Sequence, residues 1–407
     1  MAEIVEHRLD NGLILAFEPH PEHPGAAFHL LVPAGATTDP EDALGANAVL
    51  EHWLWKGAGS RDARAFAEAL DALGVRRSSS AGLEYTTFSA AFLAEVFEPA
   101  LGLFADLVQR PRLPEDGFLP ARRAVEEELA GLEDNPPKKL FVRLREKVFK
   151  SPHGRNVEGT KESLMRLTPE RVRAEHARRY APKGAILAVA GGLEVERVVA
   201  LAERYFGDWT GNGVPLPEPA LAPKGSYRFP DDTAQVQIGL YYEDVPPDSP
   251  DFYPARLASE VLSGGMASRL FTEVREKRGL VYSVYASPGA VKGFGYLAAY
   301  AGTTPERAEE TRRVLKEEIE RLKEGVNADE LARAKVGVKS ALVMQGESVQ
   351  ARSASLARDL FLLGRARPLD EILERVEAVG LEELNAFLAR HPYALPWEGV
   401  LGPVEGA

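Results

Sequence analysis

Gly45-Ala46-Asn47-Ala48-Val49-Leu50-Glu51-His52-Trp53-Leu54-Trp55-Lys56-Gly57 reads as the body of a helix running through Ala43–Trp55. Upstream, the apolar run Ala26–Val32 closes on Pro33-Ala34-Gly35, as a buried strand bounded by a turn does. Downstream, Ala63, Phe66, Ala67, Leu70 and Leu73 recur at helical spacing, with Ser60 as the expected cap and Gly74 as the stop. Glu84–Phe92 predicts a strand. Glu95–Gln109 and Leu119–Leu132 predict helices, the second halted before Asn135-Pro136-Pro137. Thr168-Pro169 opens a helix that reaches Tyr180, and Ala185–Ala190 is a strand ending at Gly191-Gly192.

Asn212–Lys224 carries four prolines and little apolar patterning, which marks a linker. Beyond it the pattern restarts. Ala234, Val236, Ile238 and Leu240 alternate with Gln235, Gln237 and Gly239, predicting a half-buried strand. Leu257, Ala258, Val261 and Leu262 share a helix, Thr304-Pro305 starts a long one, and Asn327 with Glu330 forms a capping box. The helix–proline–strand order ending the first half (Val172, Pro182, Ala185–Ala190) returns as Leu384, Pro392 and Tyr393–Leu401. Val172 and Leu384 stand 212 residues apart, as do Phe28 and Leu240. The expected fold is α+β: two tandem homologous α/β units, residues 1–211 and 225–407, each a mostly antiparallel sheet with helices packed on it.

The 407 residues are 45% apolar and 27% charged, enough to bury a core in each unit. With 49 basic against 61 acidic residues the net charge is −12, which disfavours nucleic acid and suits a basic peptide. The absence of cysteine excludes disulfides, thiolate metal sites and a cysteine nucleophile, so a metal must use His, Asp or Glu. No run approaches the ~18 apolar residues of a membrane span, and the start Met1–His7 has no basic-then-apolar leader. The default location is cytoplasmic. Richness in Ala, Leu, Arg and Glu without Cys hints at a thermophile.

The 45–57 segment resembles the pitrilysin and mitochondrial-processing-peptidase family, the inverzincins, whose H-x-x-E-H motif lies on a helix. In that family each motif His binds zinc and the Glu is the general base; residues four apart share a helix face and so can meet one ion. The resemblance makes Glu51 the base and His52 the second ligand. It makes Glu128, 76 residues after His52 within Ala124-Val125-Glu126-Glu127-Glu128-Leu129, the third. The first ligand position is Ala48, and a methyl group cannot bind zinc. Asn47 lies about 100° around the helix, and its amide is a poor zinc ligand. One lost ligand costs about 3 kcal/mol, on the order of a hundredfold in affinity. Glu51, His52 and Glu128 are therefore vestigial, and no metal is expected in this chain. Two further family positions have drifted, to Ser78 where an Asn usually contacts substrate and to Ala121 where a Glu is common.

The second half departs little from the same family across Gly264-Gly265-Met266-Ala267-Ser268-Arg269-Leu270-Phe271-Thr272-Glu273-Val274-Arg275-Glu276-Lys277-Arg278-Gly279-Leu280-Val281-Tyr282. The resemblance makes Arg275 and Tyr282, seven residues apart, the pair that reaches across a closed clamshell to a zinc site. Some bacterial members divide the labour between a zinc-motif subunit and an Arg/Tyr subunit. The resemblance implies that this chain is the second type: half of a clamshell, acting in trans on peptides with a homologous zinc-bearing partner, and without membrane or nucleic-acid partners. The alternatives are a stand-alone weak zinc peptidase using Glu51, His52 and Glu128, a structural or peptide-binding protein of the respiratory-core type, and a peptide-binding homodimer.

Overall fold

Alternation along Gly25–Val32 sends Phe28, Leu30 and Val32 to one side of a strand and Leu31 to the other, and all four are buried. Both sides of this strand are therefore covered. The computed structural model describes residues 3–403, so the leader reading at Met1 and Ala2 lies outside the described residues.

The strands of the first half are β1 (Val5–Arg8), β2 (Ile14–Pro19), β3 (Gly25–Val32), the two-residue hairpin β4 (Gly57–Ala58) and β5 (Arg61–Asp62), β6 (Arg76–Ala81), β7 (Thr86–Leu93) and β8 (Ile186–Gly191). Those of the second are β9 (Ser226–Pro230), β10 (Val236–Asp244), β11 (Val281–Val291), β12 (Phe294–Thr303) and β13 (Trp397–Gly402). One sheet has the order β1-β2-β8-β3-β7-β6, the other β9-β13-β10-β12-β11. Apart from β1 the two orders are the same. In each, one pair is parallel (β2 with β8, β13 with β9) and the rest are antiparallel. Phe28 of β3 sits between Ala90 and Val189, and Leu240 of β10 between Ala299 and Glu398. The 212-residue echo is thus two copies of one α+β sheet.

The compact units are not the contiguous halves expected from the linker. One unit comprises the chain up to Gly131, Arg155–Pro217 and Gln345–Pro368; the other comprises Leu132–Gly154, Glu218–Met344 and the chain from Leu369. The passage at Pro217 lies inside the proline-rich 212–224 stretch, but each unit also takes a helix from the other half. The Val349–Leu363 helix, capped by Ser348, lays Leu356, Ala357, Leu360 and Phe361 on Ala16, Leu31, Ile186 and Ala188 of the first sheet. The Pro136–Val148 helix, capped by Asn135, buries Leu140, Leu144 and Val148, four apart along one stripe. Each such side chain contributes roughly 1.5–3 kcal/mol. Leu140 and Leu144 meet the second sheet where β10 has Gly239; a Cβ there would stand 3.0 Å from Leu140.

This explains why β10 is buried on both faces rather than half-buried as its alternation suggests. Its polar-looking face (Gln237, Gly239, Tyr241) is a helix seat, and Gln237 accepts a hydrogen bond there from the Tyr300 hydroxyl.

Local boundaries shift as side-chain chemistry dictates. The Ala63–Ala72 helix is capped by Asp62, whose carboxylate accepts from Ala65 N at 2.9 Å, not by Ser60. The Asn327–Glu330 capping box forms as expected, with bonds of 2.9 and 3.0 Å. The edge strand β6, Arg-Arg-Ser-Ser-Ser-Ala, has no apolar periodicity and is held by pairing with β7.

Candidate functional site

The helix carrying Ala48, Glu51 and His52 spans Ala46–Leu54. Its start is fixed from outside. Gly45 turns into it at φ +83°, where a Cβ would lie 2.7 Å from the Glu158 carbonyl. Asp39 accepts from Gly45 N at 2.9 Å and from Asn47 N at 3.2 Å. The same carboxylate meets Arg179 Nη1 at 2.6 Å, and Arg179 Nε lies 3.1 Å from Glu175. Burial pushes the Asp39 carboxyl above the usual range, against the pull of Arg179 and Gly45.

Ala48 is buried at 3% exposure, so the first ligand position is packed with core carbon. Asn47 points elsewhere: its Nδ2 donates to Thr86 Oγ1 at 2.9 Å, and Thr86 donates to the Ala34 carbonyl. Glu51 is buried and accepts from the Ser79 hydroxyl, which itself accepts from Trp55 Nε1 at 2.8 Å. His52 Nε2 lies 3.1 Å from Glu128 and 3.7 Å from Glu51. The hydrogen bond to Glu128 raises the His52 pKa; burial opposes this, and the charge of Glu51 reinforces it. The folded helix pair thus brings Glu51, His52 and Glu128 together as the spacing requires.

These residues fit a catalytic zinc poorly. The donor set is one imidazole and one carboxylate where three protein ligands are usual, and those two are bonded to each other. Among the described residues no group of three or more His, Asp or Glu is arranged to hold a metal ion. The drifted positions are also committed to the fold: Ser78 Oγ bonds Ser89 Oγ at 2.6 Å across β6 and β7, and Ala121 is in the core. Ser79 and Trp55 escaped sequence reasoning because neither type announces a role. The only signal was their adjacency to Ser78 and to the motif helix.

In the other unit, Arg275 lies on a π-turn, Phe271–Glu276, and Tyr282 on β11. Both are local irregularities. The Lys277 amide reaches back five residues to Thr272 at 2.9 Å. The ladder of β11 with β12 slips at Tyr282, since Val281 faces Thr303 and Ser283 faces Gly302. Such a bulge re-aims a side chain, and Tyr282 is left 81% exposed. The Arg275 guanidinium carbon lies 5.5 Å from the Tyr282 ring centroid. Neighbouring Lys277 and Arg278 pair with Glu273, but among the described residues no carboxylate pairs with Arg275. Half-buried Arg275 makes no side-chain hydrogen bond among the described residues, and it stands beside an exposed phenol. Together they form a site suited to an acceptor such as a peptide carbonyl or its oxyanion.

Comparison with known proteins identifies the family. Residues 15–161 match the insulinase (peptidase family M16) family, and residues 166–337 match the peptidase M16 inactive domain. An uncharacterized zinc protease of Mycobacterium bovis is 30% identical over 407 residues, covering 97% of this chain and 92% of that protein. Another from Rickettsia felis is 27% identical, covering 97% of each. Among solved structures, a peptidase M16 inactive domain from Pseudomonas fluorescens shares the fold at TM-score 0.89 and 23% identity, over 99% of this chain and 98% of that one. A protease from Helicobacter pylori does so at 0.87 and 21%, over 98% and 99%. The chain belongs to peptidase family M16, the pitrilysin family of zinc peptidases.

Proposed function

We propose that this chain is the non-catalytic subunit of a heterodimeric zinc peptidase that cleaves short or unfolded peptides. It supplies Arg275 and Tyr282 to the site of a homologous subunit, which brings the zinc and the general base. The observation that carries this reading is a contrast: a buried methyl at Ala48, and an 81% exposed Tyr282 beside an arginine that has no carboxylate partner among the described residues. Tyr282 donates a hydrogen bond to the oxyanion that forms when water adds to the scissile carbonyl, and Arg275 holds the peptide backbone through its fork of donors. The net charge of −12 favours basic peptides.

A second reading, a stand-alone weak peptidase, draws on the convergence of Glu51, His52 and Glu128 within 3.7 Å. Calorimetric zinc titration of the purified chain separates the two. The proposal expects no tight one-to-one binding, and peptidase activity only on mixing with a homologue bearing an intact H-x-x-E-H. Tight zinc binding with activity in the isolated chain overturns it.

A further inference from the structure

Arg275 is held by two rings, not one. Its guanidinium carbon lies 4.8 Å from the Phe271 centroid, closer than the 5.5 Å to Tyr282. A guanidinium over an aromatic face is attracted by the ring quadrupole while its N–H donors stay free, unlike one bound to a carboxylate. Phe271 is only half-buried, and it opens the same π-turn that carries Arg275. A buried core Phe would be explained by packing alone. A half-buried one stacked on an arginine with no carboxylate partner among the described residues calls for another account.

We propose that Phe271 is a positioning residue for Arg275: its ring fixes the guanidinium against Tyr282 with its donors open to substrate. The geometric claim concerns this chain alone, while its catalytic consequence rests on the function proposed above. Phe271 does not touch substrate; it acts through Arg275. The aromatic face is the essential property, so Tyr serves at 271 and Leu of similar volume does not.

The test uses the full chain labelled with 15N-arginine, the Arg275 Nε–Hε resonance being assigned by its loss in Arg275→Lys. A proton over an aromatic face is shifted by the ring current. Phe271→Leu is expected to move the Arg275 resonance towards that of exposed arginines and to raise its mobility; Phe271→Tyr is expected to preserve both. Thermal melting checks that each variant folds, and Tyr282→Leu removes the other ring for comparison. In the reconstituted heterodimer, Phe271→Leu is expected to lower kcat/KM about threefold to tenfold, mainly through KM, with Phe271→Tyr near native. An Arg275 resonance unmoved in folded Phe271→Leu overturns the proposal, whatever the partner does. A moved resonance without any partner-dependent activity leaves the positioning intact and overturns the heterodimer instead.

Discussion

The two units share one strand order, yet their candidate site residues are held in opposite ways. In the first, the motif helix has closed on itself: Ala48 is in the core, Asn47 is spent on Thr86, and His52 is spent on Glu128. In the second, a π-turn carries Arg275 and a bulge leaves Tyr282 exposed beside it, at the cost of regular hydrogen bonding. Irregular backbone is retained where a side chain must be aimed. Glu51, His52 and Glu128 of the first unit are bonded within the fold, as buried polar groups generally are. The difference teaches that a sheet and a site make different demands: the sheet needs only the alternation of its strands, whereas a metal site needs each ligand.

The units also differ in how they hold the helix exchanged between the halves, and here the largest effect is expected. On the first sheet the helix is tied by a buried ion pair, Arg352 with Glu18, and by His29 Nδ1 at 2.9 Å from Ser353 Oγ. Burial pushes the Glu18 carboxyl up, but His20 and Arg352 outweigh it and hold it low, while burial drops His29 to about 4, so that ring stays neutral. On the second sheet the helix sits by Leu140 and Leu144 over Gly239, and its ion pair, Lys139 with Asp231, is less deeply buried. Arg352→Ala leaves Glu18 with His20 alone and is expected to destabilise the fold by about 3–5 kcal/mol in a urea titration. An apolar swap of both partners, Glu18→Leu with Arg352→Met, should recover most of that. A loss under 1 kcal/mol for Arg352→Ala would mean that packing, not this ion pair, holds the exchanged helix.

Next in size is Tyr282→Phe in the reconstituted pair. Removing one oxyanion donor costs about 10²–10³ in kcat. The expected loss is in kcat more than KM, with the stability of the chain unchanged, because the hydroxyl is exposed. Equal losses from Tyr282→Phe and from a random surface tyrosine would sink the assignment.

Ala48→His probes the closed site from the other side. If only a ligand is missing, the variant should bind zinc on the order of a hundredfold more tightly than the native chain. The new imidazole enters a position only 3% exposed, so a packing penalty of about 1–3 kcal/mol in stability is expected alongside. Zinc affinity left at the native level would show that the His52–Glu128 bond, not the missing ligand, keeps the metal out.

Much of this was legible in the sequence, for identifiable reasons. The motif helix, the β3, β7 and β10 strands and the 212-residue echo rest on local periodicity and caps, which the chain carries within a few residues. Glu128 meeting His52 followed from spacing within a recognised motif. What was not legible is long-range. Nothing local tells the amphipathic stripes of Pro136–Val148 and Val349–Leu363 which sheet they cover. The β6 strand carries serines and arginines because pairing with β7, not burial, makes it a strand. The cap moved from Ser60 to Asp62 because β5 ends there and its carboxylate reaches Ala65 N. The Phe271 stack depends on a π-turn that no residue type announces.

The smallest effect is electrostatic and sharpens the contrast at His52. The folded state raises its pKa through Glu128, so the protonated form is the one stabilised. That contribution is fully present below the unfolded value near 6.5 and is lost as pH rises through the higher folded value. Melting temperature should therefore fall slightly as pH rises from about 6 towards 8, and the slope should flatten in Glu128→Gln. The pair is partly exposed, with His52 at 30% and Glu128 at 49%, so solvent screening limits the effect to below about 1 kcal/mol and added salt should erase part of it. Among the described residues Arg275 and Tyr282 pair with no carboxylate, so a slope that survives Glu128→Gln unchanged would have to come from elsewhere. It would show that the pairing of His52 with Glu128 does not set the pH dependence of the first unit.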